Sequence, residues 1–189
     1  MRSTLRKSAL GAVLACLAAV PALRGAEPAA PKLETASLGS TAAVHRFGTI
    51  WLASQPAKDD FALARDLGVR TVVNLRKTSE LEWDEGAAVR ALGVSYDNPA
   101  FQSPEELTDA VFDGVRRELT DAAKRPILLH CATANRVGAI WLAHRMLDGG
   151  IPYDSALREA ETVGLKNPAL RDKARDYIER HQPGTSSKR

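Results

Sequence analysis

The sequence predicts an α/β fold with a central, mostly parallel sheet of about four to five strands flanked by helices. The chain of 189 residues is 44% hydrophobic and 26% charged, which is typical of an ordinary globular domain. Short apolar, β-branched runs alternate with segments of helical periodicity. Because strands that alternate with helices usually form parallel pairs, this order favours a largely parallel sheet.

The first residues have the pattern of a secretory signal peptide. Three basic residues stand among the first seven, and an uncharged apolar stretch follows over 9–20. That stretch is too short for a stable membrane span. We expect residues 1–22 to be a signal peptide, with cleavage after Ala22. The pattern therefore predicts an exported protein, with the periplasm as its expected location.

Removal of the signal peptide changes the charge and the cysteine count. Residues 1–22 hold three of the 26 basic residues and none of the 23 acidic ones, so 23 of each remain. A balanced charge gives no indication of nucleic-acid binding. Cys16 leaves with the signal peptide, so Cys131 is left without a partner for an internal disulfide. A lone cysteine is usually buried filler, but the neighbours of Cys131 favour a chemical role.

The remaining chain divides into three expected parts. Residues 23–43 are rich in Ala, Pro, Ser and Thr and predict a flexible linker. An α/β domain is expected over 44–181, followed by a disordered polar tail over 182–189. Strands are expected at 44–47, 50–53, 69–75, 94–97 and 127–130, and helices at 58–67, 79–92, 103–119, 137–147, 153–163 and 168–181.

Start and stop signals support the predicted helices. Gly68 follows the first helix as a C-terminal cap, and Gly93 follows the second. Ser79 and Glu82 have the spacing of a capping box at the start of that second helix. Pro104 stands at the first position of the third helix, as prolines often do. Apolar residues then repeat at four-residue spacing and predict one buried face, formed by Leu107, Val111, Val115 and Leu119.

The most informative stretch runs from His130 to Gly138. It places Cys131 on a loop between the strand at 127–130 and the helix at 137–147. Backbone N–H groups of such a loop, together with the helix dipole, attract an anion and favour a thiolate. Arg136 adds a planar fork that can hold two oxygens of an oxyanion. The sequence therefore predicts nucleophilic attack by Cys131 on a tetrahedral oxyanion.

The other side chains of the loop have expected supporting roles. His130 can act on the thiol through its charge or through backbone dipoles, and it can equally pack beneath the loop as a core histidine. These two interpretations are compatible. Thr133 and Asn135 are expected to bond within the loop and hold its shape, or to face solvent.

At these residues the chain resembles the cysteine-dependent, dual-specificity-like protein tyrosine phosphatases. It resembles more closely a bacterial branch related to the beta-lactamase hydrolase-like phosphatase domain. The resemblance covers about residues 44–180. Besides the loop from His130 to Gly138, it includes Ser54-Gln55-Pro56, Asn74-Leu75-Arg76 and Gly93-Val94-Ser95-Tyr96.

The resemblance implies a phosphatase that needs no metal and no organic cofactor. Cys131 is then the nucleophile that takes up the phosphoryl group, and Arg136 binds the phosphate and stabilises the transition state. The implied substrate is a phosphorylated protein or a small phosphoester. The resemblance further implies that N–H groups of the loop line the phosphate site, from Ala132, Thr133, Ala134, Asn135 and Arg136.

The loop departs from the main phosphatase pattern in its length and in one residue type. Four residues separate Cys131 from Arg136, whereas the usual pattern has five, although the related bacterial branch often has the shorter loop. Ala134 stands where that pattern has a glycine. Glycine allows a positive φ and a close approach of the backbone, so Ala134 either accepts mild strain or changes the loop.

The general acid is the least defined part of the expected site. Phosphatases of this type use an aspartate on the loop after the strand that corresponds to 94–97. Asp97 is the nearest aspartate and our candidate, although it can equally be a turn residue at the strand end. Gln102 and Ser103 occupy the position where the acid is expected. Arg76 ends its strand and is expected to point at the phosphate site.

Two other functions fit the same residues. Rhodanese-like sulfurtransferases also carry a cysteine on a loop between a strand and a helix, and the interval of four residues between Cys131 and Arg136 matches their shorter loop. A binding module that holds an anion or a phosphorylated partner without catalysis would explain Ala134 and the undefined acid. We rank the phosphatase first because the flanking segments resemble that branch.

Overall fold

The structure is a computed structural model that describes residues 30–182. The expected signal peptide at 1–22, the beginning of the expected linker at 23–29 and the tail at 183–189 lie outside the described residues. Export therefore stays a prediction. None of the helices within 30–182 is both long enough and apolar enough to cross a bilayer.

Within the described range, six strands form one sheet in the order β1-β2-β3-β6-β4-β5. The pairs β3–β6, β6–β4 and β4–β5 are parallel, while β1–β2 and β2–β3 are antiparallel. This arrangement confirms the predicted α/β class and its mostly parallel sheet. The strands are β1 (Leu33–Thr35), β2 (Val44–Phe47), β3 (Ile50–Ala53), β4 (Thr71–Asn74), β5 (Ser95–Asp97) and β6 (Ile127–His130).

The first strand corrects the expected boundary between linker and domain. β1 lies in the segment predicted to be a flexible linker, and it pairs with β2 so that Leu33 stands opposite Phe47. Leu38, further along the same segment, is only 2% exposed. The side chain of Thr41 donates to the Asp60 carboxylate at 2.8 Å. The folded domain therefore begins before residue 44, because partners distant in sequence order this segment.

Six helices flank the sheet within the described range, and the second and third begin six residues later than expected. The predicted helix at 79–92 is divided: Thr78–Glu80 is a single 3₁₀ turn, and the α-helix starts where Asp84 accepts a hydrogen bond from the backbone N–H of Ala87. Pro104 likewise starts only a short 3₁₀ turn. The helices are α1 (Asp60–Asp66), α2 (Glu85–Ala91), α3 (Asp109–Thr120), α4 (Asn135–Leu147), α5 (Tyr153–Val163) and α6 (Pro168–His181).

The sheet separates two hydrophobic layers. Successive side chains of a strand point to opposite faces, so Val72 packs with α1 and α2 while Val73 packs with the other helices. On that second face α4 is the central helix, because every residue from Arg136 to His144 is buried. Its first turn is thereby held directly against the end of β6, where Cys131 lies.

Candidate active site

The loop between β6 and α4 has a left-handed residue at its end. β6 ends at His130, α4 begins at Asn135, and Cys131 is 1% exposed. Ala134 has φ 62° and ψ 4°, the left-handed conformation that glycine adopts without strain. Gly164 makes room for it, because a Cβ atom there would lie 2.9 Å from the Cβ of Ala134.

The junction between α5 and α6 supports the loop from the other side. A Cβ on Gly138 would lie 2.7 Å from the Cβ of Leu165, so glycine lets α4 approach this junction closely. Asn135 accepts hydrogen bonds from the backbone N–H groups of Lys166 at 2.9 Å and Asn167 at 3.0 Å. Asn135 was expected to bond within its own loop or to face solvent, and instead it joins the loop to this junction.

Arg136 is held by a carboxylate that the sequence did not indicate. Its Nη1 and Nη2 atoms donate to the two oxygens of Glu80 at 2.8 and 2.7 Å. Nη1 also donates to the carbonyls of Phe101 at 2.7 Å and Leu75 at 3.1 Å. A bidentate pair of this kind fixes the plane of the guanidinium. The arginine is therefore fixed in place at the helix end of the loop.

The opposite charges of Glu80 and Arg136 shift the pKa of each residue. Hydrogen bonds from Arg136 lower the pKa of Glu80 to about 2, although partial burial opposes the shift. Burial disfavours the charged form of Arg136, but Glu80 and the nearby sulfur of Cys131 outweigh it and raise the pKa of the arginine. The guanidinium is thus a fixed positive charge close to the cysteine.

A second carboxylate lies beneath the other end of the loop. Glu85 and His130 are both 0% exposed, and His130 Nε2 lies 3.1 Å from Glu85 Oε1. The same oxygen accepts from Asn74 Nδ2 at 2.7 Å and from the Tyr96 hydroxyl at 3.1 Å. Gln55 Nε2 donates to Oε2 at 2.6 Å. Residues from four parallel strands and their ends thus meet at one buried carboxylate.

These donors explain how a carboxylate can be charged inside the protein. Burial alone would raise the pKa of Glu85, but the adjacent His130 ring and the hydrogen bonds from Gln55 and Tyr96 outweigh it and lower the pKa below its usual value. Burial and the adjacent carboxylate raise the pKa of Tyr96, so its hydroxyl keeps the proton that it donates. His130 is thus fully buried, as expected for a core histidine that packs beneath the loop.

Arg76 lies near the site, but its side chain contacts Gln55 and Glu80, which support the site. Its Nη1 donates to Gln55 Oε1 at 2.7 Å, and its Nη2 donates to the backbone carbonyl of Glu80. Its Nε lies 3.6 Å from Glu80 Oε2. Arg76 was expected to bind phosphate, and the structure places it against the residue that holds Arg136. Within the loop, Thr133 is exposed and Ala132 is half-buried.

Asp97 is not among the side chains that the structure brings to the loop. Its carboxylate lies 2.9 Å from Lys124 Nζ, and Lys124 also pairs with Glu118 at 3.5 Å. Burial first and then the charge of Asp97 raise the pKa of Glu118. The register sets Asp97 beside Val73, level with Leu129, so its backbone lies toward the loop end of the sheet. Its carboxylate is nevertheless engaged by Lys124 and by no residue of the Cys131 loop, which does not support the expected role of Asp97 as general acid.

The rim near the expected acid position is held by an exposed ion pair. Gln102 is exposed, and its backbone N–H donates to Glu106 Oε2 at 2.8 Å. The other oxygen of Glu106 accepts from Lys77 Nζ at 2.6 Å. Hydrogen bonds from Lys77 and Gln102 lower the pKa of Glu106.

In residues 30–182 no three His, Cys, Asp or Glu side chains are grouped so that they could hold a metal ion.

Sequence reasoning did not identify Glu80 and Glu85 and gave Gln55 no role. Both glutamates lie in the segment interpreted as one continuous helix, where acidic residues normally face solvent. Their partners are distant: Glu80 and Arg136 are 56 residues apart. The one available signal was the motif Ser54-Gln55-Pro56, which belongs to the resemblance but predicts no contact by itself.

Comparison with solved structures assigns the fold. No protein-family model matches the sequence, and no curated protein matches it. TpbA of P. aeruginosa is 24% identical with a TM-score of 0.59, over 74% of this chain and 84% of that chain. SIW14 of S. cerevisiae, a PP-IP phosphatase, is 16% identical with a TM-score of 0.59, over 70% and 82%. The chain has the protein tyrosine phosphatase-like fold. This result confirms the fold that the sequence resemblance implied.

The structure of TpbA with a bound ligand aligns over more of the chain. A TpbA variant in complex with phosphotyrosine is 22% identical with a TM-score of 0.62, over 80% of this chain and 90% of that chain. A protein described as a DUF442 phosphatase from Shewanella putrefaciens is 18% identical with the same TM-score, over 76% and 96%. At these identities the likeness concerns the fold, and the chemistry depends on the residues of this chain.

Proposed function

We propose that the protein is a phosphatase that hydrolyses phosphoesters through a cysteinyl-phosphate on Cys131. The observation that carries the proposal is the buried cysteine on a loop from strand to helix, with Arg136 fixed beside it by Glu80. The phosphatases that share the fold support the same function. Export is part of the proposal and depends on the expected signal peptide at 1–22.

The proposed reaction has two displacement steps at phosphorus. The Cys131 thiolate forms a P–S bond while the P–O bond to the leaving group breaks, and that oxygen takes a proton from solvent. Water then attacks phosphorus, the P–S bond breaks with its electrons returning to sulfur, and the water proton passes to solvent. Arg136 and the N–H groups of 132–136 stabilise the charge that develops on the phosphoryl oxygens.

The position of Asp97 favours a substrate class. Lys124 Nζ lies 2.9 Å from the Asp97 carboxylate and engages it, so we propose a reaction that does not use this aspartate as its acid. A leaving group that departs without a protein proton must be a weak base. Phenols meet this requirement better than alcohols, so we propose aryl phosphates as preferred substrates. The phosphotyrosine that binds to the TpbA variant belongs to this class.

Hydrolysis of para-nitrophenyl phosphate by the protein and by its Cys131→Ser variant tests the proposal. The assay is run from mildly acidic to neutral pH with a reductant that keeps the thiol free. We expect turnover by the wild type and none by the variant, because the serine hydroxyl is a far weaker nucleophile. Equal turnover by both proteins would refute the cysteinyl-phosphate mechanism.

Sulfur transfer is the second candidate, and the length of the loop favours it. Only four residues separate Cys131 from Arg136, as in the shorter loops of rhodanese-like proteins. Transfer of sulfur from thiosulfate to cyanide distinguishes the two activities. A rate at background level would dismiss this candidate. Oxyanion binding without either activity would instead support the anion-binding module.

A further inference from the structure

Gln55 stands between two charged side chains that serve opposite ends of the Cys131 loop. Its Nε2 donates to Glu85 Oε2 at 2.6 Å and to the carbonyl of Pro56 at 3.0 Å. Its Oε1 accepts from Arg76 Nη1 at 2.7 Å. Its backbone N–H donates to the carbonyl of Ala132, inside the loop, at 3.2 Å. One residue thus contacts the loop and both groups behind it.

The two charged side chains lead to the two residues that flank the loop. Glu85 contacts His130, which directly precedes the nucleophile. Arg76 contacts Glu80, which holds Arg136 at the helix end. The loop itself connects His130 to Arg136 and closes the path. We call this path the polar ring, and its members are His130, Glu85, Gln55, Arg76, Glu80 and Arg136.

The position of Gln55 requires a side chain with one donor and one acceptor. A carboxylate such as Glu85 only accepts hydrogen bonds, and a guanidinium such as that of Arg76 only donates them. An amide offers its NH₂ to the first group and its oxygen to the second. Methionine has similar length but neither function, and glutamate would bring a second carboxylate against Glu85.

We propose that Gln55 is a positioning residue that couples the nucleophile end of the loop to its arginine end. The proposal deepens the proposed function and depends on it for its kinetic part. When the amide is lost, His130 and Arg136 remain held by separate carboxylates that no longer share a partner. Arg136 keeps its bonds to Glu80, but Arg76 loses the acceptor that holds it against Glu80, so the Glu80–Arg136 pair can shift as a unit relative to the sulfur. Small misplacements of a catalytic group cost large factors in rate.

Gln55→Met and Gln55→Glu are the test variants, and Tyr177→Phe is the matched control. Tyr177 is also buried, and its hydroxyl hydrogen-bonds with Asp113 and Arg116, but these residues lie among the helices and not in the polar ring. For para-nitrophenyl phosphate we expect Gln55→Met to lower kcat by roughly tenfold to a hundredfold. KM should change less, and Gln55→Glu should lose more. We expect the control to stay within about twofold of the wild type, because its lost bonds do not reach the loop.

A second readout does not need turnover. The rate at which iodoacetamide alkylates Cys131 reports on the thiol, and inorganic phosphate or vanadate slows it when the loop holds the anion. We expect Gln55→Met to change the pH profile of alkylation and to need roughly tenfold more anion for equal protection, since both depend on the placement of Arg136. If the wild type hydrolyses nothing and Gln55→Met still alters alkylation, the proposed function fails while the positioning role stands.

Combination with Glu80→Gln decides whether the ring acts as a unit. Residues of one hydrogen-bond network give non-additive effects, whereas independent sites add. We expect the double variant Gln55→Met with Glu80→Gln to lose much less than the product of the two single losses. Full additivity would overturn the coupling. Turnover and anion protection at wild-type level in Gln55→Met would overturn the positioning role altogether.

Discussion

The polar ring and a second, partly exposed polar cluster make similar contacts but serve different parts of the molecule. In the second cluster, Arg116 Nη1 donates to the Tyr177 hydroxyl at 2.6 Å, and Tyr177 donates to Asp113. Arg116 also forms a bidentate pair with Asp148 at 2.8 and 2.7 Å, and His144 Nδ1 lies 3.0 Å from Asp148. We call these five residues the helix cluster, because they connect α3, α4 and α6.

The difference lies in where each cluster ends. The hydrogen bonds of the helix cluster join helices to one another. None of the bonds given above for this cluster reaches a residue of the Cys131 loop. The polar ring lies at the carboxyl ends of parallel strands, where α/β proteins form their sites, and it ends on both flanks of the loop. Charged hydrogen-bond networks therefore join helices in one place, and in the other they hold the two flanks of the loop on which the proposed function depends.

The largest effect on turnover is expected from substitution of Arg136, the member of the polar ring that is proposed to bind phosphate. Arg136→Lys keeps the charge but replaces a planar fork with a single ammonium group, which cannot span both oxygens of Glu80 and bind phosphate as well. We expect kcat/KM for para-nitrophenyl phosphate to fall by roughly a hundredfold or more. Steady-state kinetics measure the change, with Arg117→Lys, on the exposed part of α3, as a charge-matched control. A decrease in kcat/KM of less than about threefold would mean that Arg136 takes no part in the reaction.

The next effect concerns the pH dependence of stability. Arg136 lowers the pKa of Glu80 from 4.5 to about 2, so the folded state gains stability above the unfolded pKa and loses it as pH falls toward 2. That shift corresponds to at most about 3 kcal/mol at neutral pH. We expect the wild type to exceed Glu80→Gln in free energy of unfolding at pH 7, and the excess to be roughly halved at pH 3. Urea unfolding at both pH values measures it, and an excess independent of pH would contradict the pairing.

A smaller effect is expected in the helix cluster. Tyr177→Phe removes the hydroxyl that Asp113 and Arg116 share, and leaves their polar groups with one partner fewer. We expect a loss of about 1–2 kcal/mol in the free energy of unfolding. Turnover should stay within about twofold of the wild type. Intact stability combined with a large loss of turnover would reverse the distinction between the two clusters.

The smallest effect is expected at the left-handed residue of the loop. Ala134→Gly removes the Cβ that disfavours φ 62°, at the cost of a more flexible unfolded chain. We expect a net gain of up to about 1 kcal/mol in the free energy of unfolding. Thermal or urea unfolding measures it. A clear loss of stability would mean that the packing of this methyl group outweighs the strain.

The sequence predicted what depends on neighbours along the chain. Cys131 and Arg136 lie on one continuous run of strand, loop and helix, so their proximity followed from local pattern alone. The strand β1 was missed because three residues in a segment rich in Ala and Pro carry little signal, and only pairing with β2 orders them. The fold class needed no such long-range information, because the alternation of elements predicts it.

The supporting shell of the site could not be predicted in the same way. Glu80 and Glu85 look like surface acids of one amphipathic helix, and only the division of that helix brings them to the loop. Asp97 was chosen because it is the nearest aspartate in sequence. Its contact with Lys124 depends on how the turn before β6 packs, which no local pattern encodes.

The most direct test of the central claim is to trap the phosphoryl group on sulfur. The protein is mixed with para-nitrophenyl phosphate, quenched rapidly in acid, digested and analysed by mass spectrometry. We predict a phosphoryl group on the peptide that contains Cys131, and none on that peptide from the Cys131→Ser variant. Turnover by the wild type without any phosphorylated Cys131, under conditions that preserve a thiophosphate ester, would contradict the mechanism.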